Sequence, residues 1–334
     1  MSKEFILSES GNDYKANLHS HTNMSDGNMT PQEVKECYNR AGYSVIAYTD
    51  HDVFVPHPEL CDESFLALNG FEAEFNQISK NPKRKRRTTH LCMIALDQNT
   101  VNQPCFHREK YYWGNGVESV KLVKYDKNEP DFEREYTAEN INLFIKKCRE
   151  QGFFVTYNHP AWSLETFADY GGYEGMNAIE ILNGDCIAEG FPDYNHRDYE
   201  AFLRQGKRIF AVAGDDNHSM RGTFCAWTVI RAEKLTYKDI CDSLLNGNFY
   251  SSNGPEIKSL YIEDGVIYAK TSEAASIIFN TAIRHTKRVK NDDGTPVTSG
   301  SFKIDYNEDE YVRVTVVGFD GTVAFSNAYF INKE

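Results

Sequence analysis

Histidines and carboxylates recur in this chain at the ends of apolar runs, and few architectures accommodate that pattern. The series begins with His19-Ser20-His21 and Asp26, continues through Thr49-Asp50-His51-Asp52 and closes with Gly214-Asp215-Asp216-Asn217-His218. Residues two apart in an extended strand point to one face, so the lead-in through Ala16 and Leu18 presents His19 and His21 to one site. Two imidazoles on one face can chelate a metal. The run 43–48 reads as a buried strand delivering His51 from its C-terminal end, and 208–213 does the same for Asp216 and His218.

From about residue 14 to 250, short apolar runs alternate with helical patterns, the signature of a βα architecture. Thr30 followed by Pro31 opens a helix that Ala41-Gly42 ends. Thr137 opens another, with Ile141, Phe144, Ile145 and Cys148 at helical spacing and Gly152 as the stop. Strand 153–157 then delivers Asn158-His159-Pro160, and strand 178–182 precedes a helix near 196–205. In parallel α/β barrels catalytic groups gather at the C-terminal strand ends, a rule that His21, His51, His159 and Asp216 fit. Glu72 and His90 need a different geometry: if 65–74 and 88–94 form an antiparallel hairpin, the end of one strand lies beside the start of the other. Segment 97–136, long and rich in Tyr, Lys and Glu, is read as a lid, a substrate-specificity loop or a plain insertion. After Asn253-Gly254-Pro255 the pattern changes to short strands separated by turn residues, which predicts a barrel-like domain over 1–253 and a small β-sandwich over 254–334.

Composition narrows the function. A formal charge of −13 argues against a nucleic-acid polymer as the main partner and leaves room for a small anionic substrate. No apolar stretch reaches the roughly 20 residues a bilayer span needs, and the N-terminus lacks a signal-peptide core, so a soluble, cytoplasmic protein with no membrane partner is expected. The eight cysteines are scattered without a CxxC pair, which indicates neither a disulfide framework nor a zinc ribbon.

Taken together, Asn17-Leu18-His19-Ser20-His21-Thr22 with Ser25-Asp26-Gly27, Thr49-Asp50-His51-Asp52, Gly70-Phe71-Glu72, Thr89-His90-Leu91, Asn158-His159-Pro160 and Gly214-Asp215-Asp216-Asn217-His218 resemble, in order, the motifs of the PHP (polymerase and histidinol phosphatase) family of metal-dependent phosphoesterases. The resemblance implies a distorted (β/α)7 TIM-like barrel holding two or three divalent ions. By it, His19, His21, Glu72 and Asp216 bind the first ion. Glu72 bridges to a second, held also by His90 and His159, and Asp26, His51 and His218 bind a third. Asp215 stands where the family often has serine, an extra acid that alters metal choice or stays outside the ligand set. The β-rich tail resembles the subgroup in which a sandwich follows the barrel.

Mixed imidazole and carboxylate ligands suit Zn²⁺, Mn²⁺ or Fe²⁺. A metal pair polarises a phosphoryl oxygen and lowers the pKa of a bridging water, so hydroxide is the expected nucleophile. Beside the metals, the catalytic candidates are His218, Arg221 as a bidentate phosphate clamp, and Asp52, which with Asp50 flanks His51 and can orient an imidazole. Glu74 and Glu180 are candidates to support the ligands. The basic run Lys83 to Arg87 reads as a solvated hairpin turn, and His57, His107, His196 and His285 as structural. The leading function is hydrolysis of a small phosphorylated metabolite: a sugar, amino-alcohol or nucleotide phosphate. Ester, carbamate or amide hydrolysis by the same centre, and a non-catalytic metal-binding scaffold, are the alternatives.

Overall fold

The computed structural model describes residues 3–78, 87–191 and 193–331. Its strands are β1 (Glu4–Leu7), β2 (Asn12–Asn17), β3 (Val45–Tyr48), β4 (Leu66–Asn76), β5 (Thr88–Ala95), β6 (Phe153–Tyr157), β7 (Ala178–Asn183), β8 (Phe210–Gly214), β9 (Trp227–Ala232) and β10 (Phe249–Ser252). A second run comes after: β11 (Ile257–Glu263), β12 (Val266–Ala274), β13 (Ser276–Thr281), β14 (Lys287–Val289), β15 (Val297–Lys303), β16 (Tyr311–Val317), β17 (Val323–Ser326) and β18 (Tyr329–Phe330). The helices are α1 (Pro31–Arg40), α2 (Gly116–Ser119), α3 (Ala138–Glu150), α4 (Phe167–Tyr170), α5 (Gly184–Glu189), α6 (His196–Arg204) and α7 (Tyr237–Asn246). The predicted helix starts are where the caps are: Thr30 and Glu33 form a reciprocal capping box on α1, and the Thr137 hydroxyl accepts from Asn140 N on α3.

One sheet runs β14-β13-β16-β17-β10-β9-β2-β3-β4-β5-β6-β7-β8. Within it β2, β3 and β4 are parallel, β5 is antiparallel to β4 and β6, and β6, β7 and β8 are parallel again. The hairpin expected for β4 and β5 is therefore present, with Glu74 opposite His90 and Glu72 opposite Cys92. One apolar cluster takes a side chain from every strand from β2 to β9, including Ala16, Val45, Leu66, Ile94, Phe154, Ala178, Val212 and Ile230. On β3 the alternation is clean: Val45 and Ala47 join that cluster, while Ile46 and Tyr48 pack with Val34 and Tyr38 of α1. The two ends of the seven-strand path β2-β3-β4-β5-β6-β7-β8 meet beyond β2 and β8 through an isolated Ser20–Asn217 bridge. Asp216 N donates to His19 O (2.9 Å) and His21 N to Asn217 O (3.2 Å). Gly214 permits the crossing, because a Cβ there would stand 2.9 Å from His19 Cβ and 3.0 Å from His19 N.

The C-terminal region is β-rich, as expected. A second sheet, β1-β11-β12-β15, shares a core with the long sheet through Leu7, Leu260, Ile267, Phe279, Phe302 and Val314. The N-terminal strand β1 belongs to this region, paired with β11. Glu200 of α6 accepts from Arg313 Nε (2.6 Å) and Tyr311 OH of β16, and Asn327 bonds Ala211 N, Gly247 O and Phe249 O. Among the described residues no helix is long and apolar enough to cross a membrane. The basic run from Lys83 to Arg86 lies outside the described residues; Arg87 pairs with Asp169 at 2.8 Å.

Candidate metal centre

Beyond Asn17 the chain stays extended, and His19 and His21 bring their Nε2 atoms to 3.1 Å of each other. Asp216 Oδ1 stands 3.1 Å from His19 Nε2 and 3.0 Å from His21 Nε2. Glu72 places Oε1 3.3 Å from His19 Nε2 and Oε2 3.3 Å from His21 Nε2. The ligand atoms of these four residues all lie within 4.8 Å of one another. Glu72 Oε1 also reaches His90 Nδ1 (3.2 Å) and His159 Nε2 (3.5 Å), and Oε2 reaches His51 Nε2 (3.3 Å). Asp26 Oδ2 lies 3.0 Å from His218 Nε2, and Asp26, His21, His51 and His218 form a second group. Every expected ligand thus enters one cluster. The grouping differs from that implied by the family at two points: around Glu72 and His90 the third donor is His51, whereas His159 groups with His19 and Glu180, and His21 joins Asp26, His51 and His218.

Charge explains why such a cluster calls for cations. Burial opposes ionisation of Glu72 and Asp216, yet the surrounding imidazoles hold both well below the usual carboxylate range. Burial lowers the His51 imidazole, helped by His21 and His90, to about 3. Burial also opposes protonation of His218, but Asp185 and Asp26 raise it to about 11. Protonated imidazoles balance the buried carboxylates here; divalent ions supply the same charge with the imidazoles neutral. The donor set fits such ions on a further count. His21 Nδ1, His51 Nδ1, Glu72 Oε2 and Asp216 Oδ1 are buried and make no hydrogen bond, although imidazole nitrogens stand near the two carboxylate oxygens.

The backbone is strained at this rim. Asp52, His159 and Asp216 have φ of 54°, 25° and 54° at the ends of β3, β6 and β8, a conformation costing about 1–3 kcal/mol each. Asp50 does not orient His51. It accepts from Thr22 N (2.8 Å), Thr22 OH (2.9 Å) and Ser25 OH (2.8 Å), fixing the loop that carries Asp26. Asp52, a sequence candidate for catalysis, does not line the cavity: both its oxygens accept from Arg134, whose side chain is 3% exposed. Asp215 also turns away, accepting from Tyr38 OH and from Phe224, Cys225 and Ala226 N. Arg221 does reach the cavity, but its guanidinium is held by Glu189 (2.6 Å) and its side chain is 60% exposed.

A cavity of about 400 Å³ opens over the cluster, walled by Trp113, Trp162, Glu74, Asp185 and Glu189. Segment 97–136 contributes Trp113, whose ring centroid is 5.6 Å from that of His51, and Arg134. Sequence reasoning missed Arg134 and Asp185. Asp185 lies 3.5 Å from His218 Nδ1 and opens the short helix α5 directly after β7, a placement that could have drawn notice. His57, His107 and His285 pair with Glu59, Glu133 and Asp309, and His196 stacks on Phe325, all apart from the ligand groups.

No family model matches the chain. It is 24% identical over 162 residues to the uncharacterized protein MJ1295 of Methanocaldococcus jannaschii, covering 43% of this chain and 72% of that one. It is similar, at 15% identity and a TM-score of 0.45, to a two-domain protein from Bacteroides vulgatus described as containing a predicted PHP-like metal-dependent phosphoesterase, over 99% of this chain and 98% of that one. PsfC from Pseudomonas syringae is similar at 14% identity and a TM-score of 0.39, over 70% of this chain and 88% of that one. The ordered motif series, folded into one cluster of imidazoles and carboxylates, is similar to that of PHP proteins, and a β-rich region accompanies it.

Proposed function

We propose that this protein is a metal-dependent phosphoesterase that hydrolyses a small phosphorylated metabolite, a sugar, amino-alcohol or nucleotide phosphate. The seven-strand path β2 to β8 is read as a distorted barrel and residues 254–334, with β1 added, as a sandwich. The observation that carries the reading is the convergence of buried imidazoles and carboxylates around Glu72, where Glu72 Oε2 and Asp216 Oδ1 make no hydrogen bond, beside a cavity of about 400 Å³. That volume lies within the range of small-ligand pockets.

His19, His21, Glu72 and Asp216 would hold one ion, His90 and His159 with Glu72 a second, and Asp26, His51 and His218 a third. Bound divalent ions supply Lewis acidity toward a phosphoryl oxygen and acidify a water for attack. The chain's own groups do the rest. Glu72 spans the centre, its two oxygens facing different imidazoles. His218, 33% exposed, is the most open imidazole of the cluster, and its Nδ1 donates to Asp216 O (2.8 Å), which turns Nε2 toward Asp26. Arg221 reaches phosphate by exchanging Glu189 for the substrate, and Trp113 and Trp162 pack the organic part and exclude water.

One observation favours a second reading. Arg221 is the only arginine or lysine among the described residues lining the cavity, where six carboxylates stand beside the imidazoles and the two tryptophans. An uncharged ester, carbamate or amide suits such a wall. Metal-loaded protein assayed on panels of phosphate monoesters and carboxyl esters separates the two. Phosphate release, lost in Glu72→Gln and Asp216→Asn, supports the first; turnover of carboxyl esters alone supports the second. Inactivity on both panels overturns both.

A further inference from the structure

Strand β7 carries none of the expected ligands, yet two of its side chains touch three of them. We propose that Glu180 and Asn183 form a bracket that positions His19, His159 and Asp216 for cation binding; the proposal rests on the metal-centre reading above.

In a regular strand, residues three apart face opposite sides. Here the register between β7 and β8 breaks between Glu180 and Leu182: Glu180 pairs with Val212 and Leu182 with Ala213, leaving Ile181 as the extra residue of a β-bulge. Asn195 satisfies the bulge, its N donating to Ile181 O (2.8 Å) and its Nδ2 to Glu180 O (3.0 Å). The extra residue turns Glu180 and Asn183 to the same side. Both are buried, at 2% and 0% exposure.

Each contact fixes a different ligand. Glu180 Oε1 accepts from His19 Nδ1 (3.1 Å), which places the proton on Nδ1 and leaves the Nε2 lone pair facing Glu72 and Asp216. Glu180 Oε2 accepts from His159 N (3.2 Å), holding the residue whose φ is 25°. Asn183 Nδ2 donates to Glu180 Oε2 (2.9 Å) and to Asp216 Oδ2 (3.0 Å), so Asp216 presents Oδ1 to the histidines. The amide cannot usefully flip, because Asn183 Oδ1 accepts from Cys186 N (2.9 Å) and caps α5. Glu180 lies within ligating distance of His19 and His159, but both its oxygens already accept N–H donors. That makes it a positioning residue.

Two variants test this in the full chain, stripped of metal and titrated with Co²⁺ alone. Binding is read from chelator competition and from the ligand-field absorption, and the His19 Nδ1 proton from nitrogen shifts of a Zn²⁺-loaded sample. Glu180→Gln sets an amide against N–H donors. The expected result is binding of one ion weakened about 10–100-fold, a changed band shape and loss of the Nδ1-protonated His19 signal, with the unfolding temperature little changed. Asn183→Ser keeps a helix cap but loses the link to Asp216, and should weaken the same ion several-fold. Wild-type affinity for every ion in both variants overturns the bracket while the metal-centre reading stands. A wild type that takes up no Co²⁺ overturns the metal-centre reading and the bracket with it. If Glu180→Gln fails to fold, Asn183→Ser decides, and unchanged binding there overturns the proposal.

Discussion

Replacing Arg134 with methionine should destabilise the protein by about 3–5 kcal/mol, although Arg134 belongs to no motif and stands 82 residues from its partner. Arg134 and Asp52 form an ion pair whose side chains are 3% and 4% exposed. The guanidinium also donates to Glu74 O (3.1 Å) and lies over the Tyr111 ring, 4.4 Å from its centroid. Methionine fills similar space but leaves the Asp52 carboxylate buried beside Glu72 and Glu74. Burial already pushes Asp52 up to about 6 against the pull of Arg134. Without Arg134 it rises further, so the carboxyl escapes part of the penalty by taking a proton. The loss should therefore be larger at pH 8 than at pH 5. Urea unfolding of chelator-treated protein at both pH values measures it without contributions from bound metal. Asp52→Asn combined with Arg134→Met should lose much less than the single changes summed. A loss under about 1 kcal/mol, or an equal loss at both pH values, would refute the reasoning.

Other predictions come from single contacts. Gly214→Ala forces a Cβ to within 3.0 Å of His19 N, and should cost about 1–3 kcal/mol and weaken metal uptake, read by unfolding and chelator competition; unchanged uptake contradicts the tight crossing. Arg221→Gln should lower kcat/KM on phosphate esters by about 10-fold or more while metal content stays at the wild-type level; unchanged kinetics would leave Arg221 as a rim residue paired to Glu189. Burial pushes Asp193 up to about 6, against about 3.9 in an unfolded chain. The folded protein binds that proton more tightly, so the stabilisation is fully present below about pH 3.9 and is lost as pH rises through about 6. Asp193→Asn should remove this slope, about 3 kcal/mol, from denaturation curves measured between pH 4 and 7; an unaltered slope would assign it elsewhere.

The residues that gather around Glu72 were legible because each signal is local. His19 and His21 sit two apart on an extended segment, and His51, His159 and Asp216 directly follow buried apolar runs. Glu72 and His90 became legible once β4 and β5 were taken as a hairpin, since antiparallel pairing brings an end beside a start. The supporting groups were not legible, for physical reasons. Arg134 reaches Asp52 from within a long segment that has almost no regular structure, and its guanidinium takes both Asp52 oxygens, away from the cavity. Alternation alone suggested that Glu180 faces the centre, but it puts Asn183 on the opposite face; only the bulge brings the two together. Strand β1 pairs with β11 some 250 residues on, and no short-range pattern in Glu4–Leu7 specifies that partner.

The central claim is that the imidazoles and carboxylates around Glu72 exist to hold cations. Elemental analysis of purified protein, stripped with chelator and reloaded with Zn²⁺, Mn²⁺ or Fe²⁺ in turn, tests it most directly, with Glu72→Gln as the comparison. Two or three ions per wild-type chain are expected for at least one of these metals, with a clear deficit in the variant. A wild type that retains none of the three would contradict it.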